Sequence, residues 1–135
     1  MKEINLDKFV PYGMHSISES DINEVVKILR GPRLTQGEKV DEFECSISKK
    51  VNSKYAVAVN SATSALHLSC LALEVGEKDI VWTSPISFVA SANCALYCGA
   101  KIDFVDINPN SGLMDISHLK TKLKEAANNN KLPKV

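Results

Sequence analysis

The sequence predicts an α/β fold with a partial, mainly parallel sheet flanked by helices. Two observations support this prediction. Segments with apolar residues at helical spacing alternate with short, continuous apolar runs, which are typical of strands covered on both faces. Turn-forming residues separate these segments, and apolar residues make up 44% of the 135-residue chain, which is enough for a core.

Five helices are expected, at about residues 18–30, 38–51, 62–74, 87–97 and 116–127. Ser18 and Asp21 have the spacing of a capping box, and Gly31-Pro32 ends the first helix. The third and fourth helices carry few polar residues, so both should be buried. Gly99 fits a left-handed cap just after the fourth helix.

Three strands are expected, at residues 55–59, 80–83 and 102–106. Residues 132–135 resemble the approach to another strand. A sheet of three parallel strands is an incomplete layer, and its open edges need cover. We therefore expect this chain to form oligomers.

Composition narrows the possible functions. The chain has 16 Lys and Arg residues against 16 Asp and Glu residues, so it offers no positive surface for nucleic acid. The first ten residues lack the pattern of a signal peptide, and no apolar run is long enough to span a bilayer. The expectation is a cytoplasmic protein with neither nucleic acid nor membrane as a partner.

The four cysteines show no metal-binding spacing. Cys94 and Cys98 lie one helical turn apart, but nothing nearby supplies two more ligands. Cys70, Cys94 and Cys98 stand in apolar surroundings, whereas Cys45 does not. We expect core thiols and no metal.

The strongest local signal is the string VNSATSAL at residues 59–66, where a strand passes into a helix. The first N–H groups of a helix have no internal partner, and the helix dipole favours an anion there. Small residues and the hydroxyls of Ser61, Thr63 and Ser64 could form a phosphate site without glycine. The alternative is plain N-capping by Ser61.

A second corner, TSPISF at residues 83–88, also follows a strand and opens a helix. Ligands of open α/β sheets bind at the carboxyl ends of the strands, where both corners should lie. Phe88 could cover a flat ring there, or it could be a core residue of a buried helix.

The remaining ionisable residues suggest no catalytic group. His67 is expected to be a core histidine, and Asp103 and Asp106 should lie on opposite faces of a strand. A run of lysines in the last helix is most simply a solvated face. Its members are Lys120, Lys122 and Lys124.

Five motifs occur in one order along the chain: LTQG at 34–37, an acidic pair around Phe43, NSATSALH at 60–67, TSPISFVASAN at 83–93 and GAKIDFVDI at 99–107. Together they resemble the DegT/DnrJ/EryC1/StrS family of sugar aminotransferases, which has the type I aminotransferase fold. The resemblance extends from about Pro11 onward. The short strings are most similar to the pseudaminic-acid branch, in which Ala is common at position 62 although the family usually has Gly.

The resemblance implies pyridoxal 5′-phosphate (PLP) as cofactor and assigns roles by position. Ser61, Ala62 and Thr63 would hold the cofactor phosphate, and Phe88 would stack on the pyridine ring. The positions implied for the sugar nucleotide are Tyr12, Pro32, Arg33, Leu34, Thr35 and Ala62. Residues 1–37 would form a helical arm with a substrate loop, and residues 38–135 an incomplete PLP-binding large domain.

The resemblance also implies an activity for a longer parent. That enzyme would transfer an amino group from glutamate to a UDP-linked 4-keto-6-deoxy sugar, as a homodimer. Its Schiff-base Lys lies beyond Val135, so no catalytic residue is assigned and the chain alone is expected to be inactive. The alternatives are a stand-alone phosphate- or nucleotide-binding or interaction module, and a fragment of a sugar dehydratase with the same fold.

Overall fold

A computed structural model describes residue 11 and residues 13–135. The chain forms two compact units, of which the first ends at Ala58 and the second runs from Val59 to Val135. The division at residues 37 and 38 that the sequence suggests stays a prediction. In the described part of the chain, no helix is both long and apolar enough to cross a membrane.

The first unit contains helix α1 (Glu19–Leu29) and helix α2 (Glu38–Lys50). The capping box is present: the Ser18 hydroxyl accepts from the Asp21 N–H at 3.2 Å, and the Asp21 carboxylate accepts from the Ser18 N–H at 2.8 Å. Neither helix holds a buried residue. Apolar side chains on both helices are exposed, among them Val25, Leu29 and Phe43.

The strand expected at residues 55–59 is absent, which corrects the prediction. The Ala58 N–H donates to the Glu44 carboxylate at 2.7 Å, so a side chain takes the place of a neighbouring strand. Tyr55 and Val57 are 74% and 78% exposed, whereas the prediction required cover on both faces. An apolar run forms a strand only when a partner backbone accepts its hydrogen bonds.

The second unit alternates helices and strands: α3 (Ala62–Ala72), β1 (Ile80–Thr83), α4 (Ala90–Tyr97), β2 (Lys101–Phe104) and α5 (Ile116–Asn128). The two strands are parallel, with Val81 opposite Ile102 and Trp82 opposite Asp103. The α/β class and the parallel pairing are therefore confirmed. The sheet has two strands in the described residues rather than the three that we expected.

The core of this unit lies between the sheet and the helices α3 and α4. A buried apolar cluster contains Cys70, Val75, Val81, Cys94, Ala95 and Ala100. Val105, which directly follows β2, is fully buried. Helix α3 itself is only partly covered. Its residues Leu66, Leu68 and Leu71 are 38–50% exposed to solvent, so the expected burial of α3 is wrong.

The turn after α4 follows the predicted geometry. Gly99 has φ +77° in the left-handed region, and its N–H donates to the Leu96 carbonyl at 2.9 Å. The next N–H, of Ala100, donates to the Ala95 carbonyl at 3.0 Å. A side chain at residue 99 would meet Glu77, because a Cβ there would lie 3.0 Å from its Cγ. Glycine therefore suits this position, because the backbone is left-handed and a Cβ here would require Glu77 to shift.

The last residues run along the edge of β1 opposite to β2. The Lys134 N–H donates to the Ile80 carbonyl at 2.8 Å, and the Val135 carbonyl accepts from the Trp82 N–H at 2.9 Å. These two bonds agree with the strand-like character expected for residues 132–135.

Lys122 corrects the prediction of a solvated lysine face on α5. Its ammonium lies 2.7 Å from the Asp103 carboxylate and donates to the Phe104 carbonyl at 2.6 Å. It also lies 4.8 Å from the centre of the Trp82 ring. Lys122 thus joins α5 to both strands, whereas Lys120 and Lys124 are exposed as predicted.

Candidate functional site

The first corner is the amino-terminal end of α3. Ser61 is its N-cap: the hydroxyl accepts from the Ser64 N–H at 3.1 Å, as the capping alternative required. The Ser64 hydroxyl in turn donates to the Asn60 side-chain carbonyl at 2.7 Å. Ser61 and Ser64 therefore use their hydroxyls to fix the corner.

Capping leaves two backbone donors free at the start of α3. The N–H groups of Ala62 and Thr63 meet no acceptor among the residues that the structure describes, whereas Ala65 N–H bonds to the Ser61 carbonyl at 3.0 Å. Ala62 is exposed and Thr63 is half-buried. The helix dipole adds positive potential at these donors. N-capping and anion binding are thus compatible here, because they use different N–H groups.

The second corner joins β1 to α4. Ser84, directly after β1, has a buried hydroxyl with no hydrogen-bond partner in the described chain. Such a group is uncommon in native structures, because losing water without a partner carries a free-energy penalty. Sequence reasoning included this corner but did not select Ser84. Its position between a buried strand and Pro85 was the available signal.

Phe88 lies in the approach to α4, since that helix begins at Ala90 and not at Ser87 as expected. The Phe88 carbonyl accepts from the Ser91 N–H at 2.9 Å, which positions the residue at the first turn. Its side chain is 74% exposed. The alternative of a core phenylalanine is therefore wrong, and the ring is free to cover a flat partner.

The two corners lead into helices that pack against each other, α3 and α4. At their interface the His67 ring meets the Tyr97 ring edge-on, with 5.4 Å between ring centres. His67 is half-buried and lies outside the buried core, so the expectation of a core histidine is wrong, although its ring takes part in helix packing. That Thr63 and Phe88 lie on one shared site remains a prediction.

The first unit has a hollow of its own beside the loop between α1 and α2. Its volume is about 700 Å³, and Pro32, Arg33 and Leu34 are among the residues that line it. Lys27 and Lys39 also line it, and each is paired with an acid on its own helix. Arg33 makes no ion pair with any residue in the described ranges.

The remaining positions that the resemblance implies for the substrate are Thr35, Ala62 and Tyr12. Thr35 is exposed and does not line the hollow, and Ala62 belongs to the second unit. Tyr12 lies outside the described residues. Within the part of the chain that is described, no group of three His, Cys, Asp or Glu residues could hold a metal ion.

The residues at the two corners fit PLP. A phosphate needs backbone donors at a helix start, which Ala62 and Thr63 offer. A pyridine ring needs an accessible aromatic face, which Phe88 offers, and a polar substituent could use the Ser84 hydroxyl. The described site contains donors for binding, but it has no nucleophile that we can assign.

Comparison with curated proteins finds relatives among sugar-modifying enzymes. Over 114 residues the chain is 46% identical to the UDP-4-amino-4,6-dideoxy-N-acetyl-beta-L-altrosamine transaminase of Campylobacter jejuni subsp. jejuni (strain 81-176). This match covers 84% of the chain and 30% of the relative. The chain therefore spans less than a third of this relative's length.

Solved structures give the same result. Spr1654 from Streptococcus pneumoniae, assigned as a sugar aminotransferase, matches in its PLP-form with a TM-score of 0.76 and 35% identity, over 83% of the chain and 29% of that protein. The E. coli GDP-4-keto-6-deoxy-D-mannose-3-dehydratase with bound hydrated PLP matches with a TM-score of 0.74 and 27% identity, over 82% and 30%.

The sequence model of the DegT/DnrJ/EryC1/StrS aminotransferase family matches residues 15–129, most of the chain. The chain belongs to the DegT/DnrJ/EryC1/StrS aminotransferase family.

Proposed function

We propose that this chain is the amino-terminal part of a PLP-dependent aminotransferase that converts a UDP-linked 4-keto-6-deoxy sugar into the 4-amino sugar. Glutamate would be the amino donor, and the active enzyme would be a homodimer. The observation that supports this most is the pair of free N–H groups on Ala62 and Thr63 at the start of α3.

This part of the enzyme would bind and orient the cofactor. The N–H groups of Ala62 and Thr63 and the Thr63 hydroxyl would hold the phosphate, and Ser61 would fix the corner by its cap. Phe88 would cover one face of the ring and exclude water from it. PLP, when bound, supplies the electron sink that amino-group transfer requires.

The loop of the first unit would contact the sugar nucleotide. Pro32, Arg33 and Leu34 line one hollow, and the Arg33 guanidinium can pair with a diphosphate oxygen. Tyr12 and Thr35 remain implied contacts. The residue that accepts the cofactor aldehyde and moves the proton would come from the rest of the parent, so we expect no turnover by the chain alone.

Cofactor binding by the chain can be measured by titrating it with PLP and with pyridoxal, which has the same aldehyde but no phosphate. Charge-assisted hydrogen bonds contribute about 1.5–3 kcal/mol each, so PLP should bind at least about tenfold more tightly. Thr63→Val should weaken PLP binding by roughly tenfold to a hundredfold, the effect of one charge-assisted hydrogen bond.

The matched control is Ser69→Ala on the same helix, because the Ser69 hydroxyl bonds to the Ala65 carbonyl and lies outside the corner. This variant should bind PLP as the original chain does. Equal affinities for PLP and pyridoxal would contradict the phosphate site. If inorganic phosphate or UDP bound as tightly as PLP, a stand-alone phosphate- or nucleotide-binding module would be favoured.

The match to a dehydratase makes a second reaction class worth testing in the longer parent. A UDP-4-keto-6-deoxy sugar supplied with nitrogen-15 glutamate should yield a sugar that carries the label at C4. A product that has lost a hydroxyl and contains no label would instead identify a dehydratase.

A further inference from the structure

Three of the four cysteines gather where α3 packs against α4. Cys70 lies on α3, Cys94 lies on α4, and Cys98 caps the carboxyl end of α4. Cys70 and Cys94 belong to the buried apolar cluster, and Cys98 packs against it. Cys45, in the first unit, is exposed. The proposed cofactor chemistry uses none of these thiols.

The three thiols differ in access to solvent. Cys70 and Cys94 are 6% and 4% exposed, whereas Cys98 is only half-buried. The Cys94 thiol points back to its own helix and donates to the Ser91 carbonyl at 3.5 Å. A small oxidant from solvent therefore reaches Cys98 first.

Cys70 is a buried thiol that would act second, after another thiol has met the oxidant. Burial is the main reason that its pKa is raised to about 11, and the neighbouring thiols of Cys94 and Cys98 raise it further. Cys70 belongs to the buried cluster against which Cys98 packs, so both side chains lie where α3 meets α4. Cys70 is buried and protonated at neutral pH, so a dissolved oxidant reaches it less readily than Cys98; as the second thiol it would react only with a sulfur held at the same interface.

We propose that Cys98 is a site of oxidation by hydroperoxides and that Cys70 is its resolving partner, so that a Cys70–Cys98 disulfide links α4 to α3. This is a modification site distinct from the cofactor corners. The ligand class is a small peroxide, such as hydrogen peroxide, that can approach the end of α4.

The reaction has two balanced steps. The Cys98 sulfur attacks one oxygen of hydrogen peroxide, the O–O bond breaks, and Cys98 sulfenic acid and one water form. The Cys70 sulfur then attacks the Cys98 sulfur and loses its proton, while the hydroxyl leaves as a second water. Two thiols are oxidised by two electrons, and one peroxide is reduced to two waters.

The test uses the chain with Cys45→Ala, which removes the exposed thiol of the first unit, and the monomer is isolated under non-reducing conditions before mapping. After hydrogen peroxide treatment, free thiols are alkylated under denaturing conditions and the peptides are mapped by mass spectrometry. We expect one disulfide that joins the peptides of Cys70 and Cys98, with a loss of two hydrogens and with Cys94 alkylated.

Single variants assign the roles. Cys98→Ala should abolish the disulfide, and Cys70→Ala should leave Cys98 as sulfenic or sulfinic acid. Cys94→Ala is the matched control and should keep the Cys70–Cys98 bond. The same treatment in guanidinium chloride should give no preferred pairing, because the fold no longer brings the thiols together.

Two results would overturn the proposal. One is a native chain whose three thiols all remain alkylatable, or whose Cys98 is overoxidised while Cys70 stays free. The other is a Cys70–Cys94 bond, which would show that solvent access does not decide the reactive thiol. The mapping of the chain with unchanged core cysteines decides the result even if a core variant fails to fold.

Discussion

The two units of the chain differ in the interactions that stabilise them. The first unit has two well-defined helices, yet α1 and α2 contain no buried residue. In the second unit, side chains from distant parts of the sequence meet in a buried cluster and in the contacts of Lys122. Local signals therefore suffice to begin and end a helix, whereas stable packing requires partners from elsewhere.

The helices of the first unit show how much local sequence determines. α1 begins with Glu19 and Asp21, and α2 ends with Lys49 and Lys50, so charges at both helices match the dipole. Helices of 11 and 13 residues are nevertheless marginal without tertiary contacts. Three substitutions test this contrast, and each has a matched control.

The largest effect is expected from Val105→Asp in the second unit. Val105 is fully buried, and a carboxylate there would lose its water without gaining a partner. The penalty should be several kcal/mol, comparable to the whole stability of a small domain. Urea unfolding followed by the fluorescence of Trp82, the single tryptophan of the chain, should show no folded baseline.

Val25→Asp on α1 is the matched control for that variant. Val25 is 58% exposed, so a carboxylate there keeps most of its water. We expect the urea midpoint reported by Trp82 to stay within error of the original chain. Equal loss in both variants would show that the contrast between a packed and an unpacked unit is wrong.

A smaller loss is expected from Lys122→Met, which keeps the length of the side chain but removes its charge. The Lys122 ammonium contacts the Asp103 carboxylate, the Phe104 carbonyl and the Trp82 ring, and the Lys122 side chain is only 20% exposed. Asp103 is 52% exposed, so solvent screens part of the pair. We expect a loss of about 1–2 kcal/mol at neutral pH, while Lys124→Met on the exposed face should lose almost nothing.

The pH dependence identifies the ion pair. The hydrogen bond from Lys122 is the main reason that the pKa of Asp103 is lowered in the folded chain. The stabilisation is therefore present above the ordinary aspartate range, near pH 4, and is lost as pH falls through the lowered pKa. The difference between Lys122→Met and the original chain should shrink in acid, and an unchanged difference would point to packing alone.

The sequence predicted features that depend on neighbouring residues. The capping box of Ser18, the strand β1 and the left-handed Gly99 follow from spacing and turn chemistry, and all three are present. The corner residues Ser61, Ala62 and Thr63 could also be selected, because small and hydroxyl-bearing residues at the start of a helix are visible in the sequence, although the strand expected before them is absent.

Features that depend on distant partners could not be predicted. The run at residues 55–59 has strand-like composition, but its Ala58 N–H bonds to the Glu44 side chain instead of a strand. Lys122 has the same local pattern as Lys124 and differs only in what it meets in space. The unpartnered Ser84 hydroxyl likewise emerged only from the packing around it.

The smallest effect is expected from Ser18→Ala, which removes the cap of α1. Ser18 both accepts from the Asp21 N–H and donates its own N–H to the Asp21 carboxylate. Loss of such a cap removes about 1 kcal/mol from a helix. Because no buried residue of α1 compensates, the loss should appear as fraying of that helix. Hydrogen exchange at Ile22 should be several times faster, whereas Ser16→Ala, an exposed position outside the cap, should leave it unchanged. Equal exchange in the two variants would mean that contacts other than the cap hold α1, and the first unit would then resemble the second.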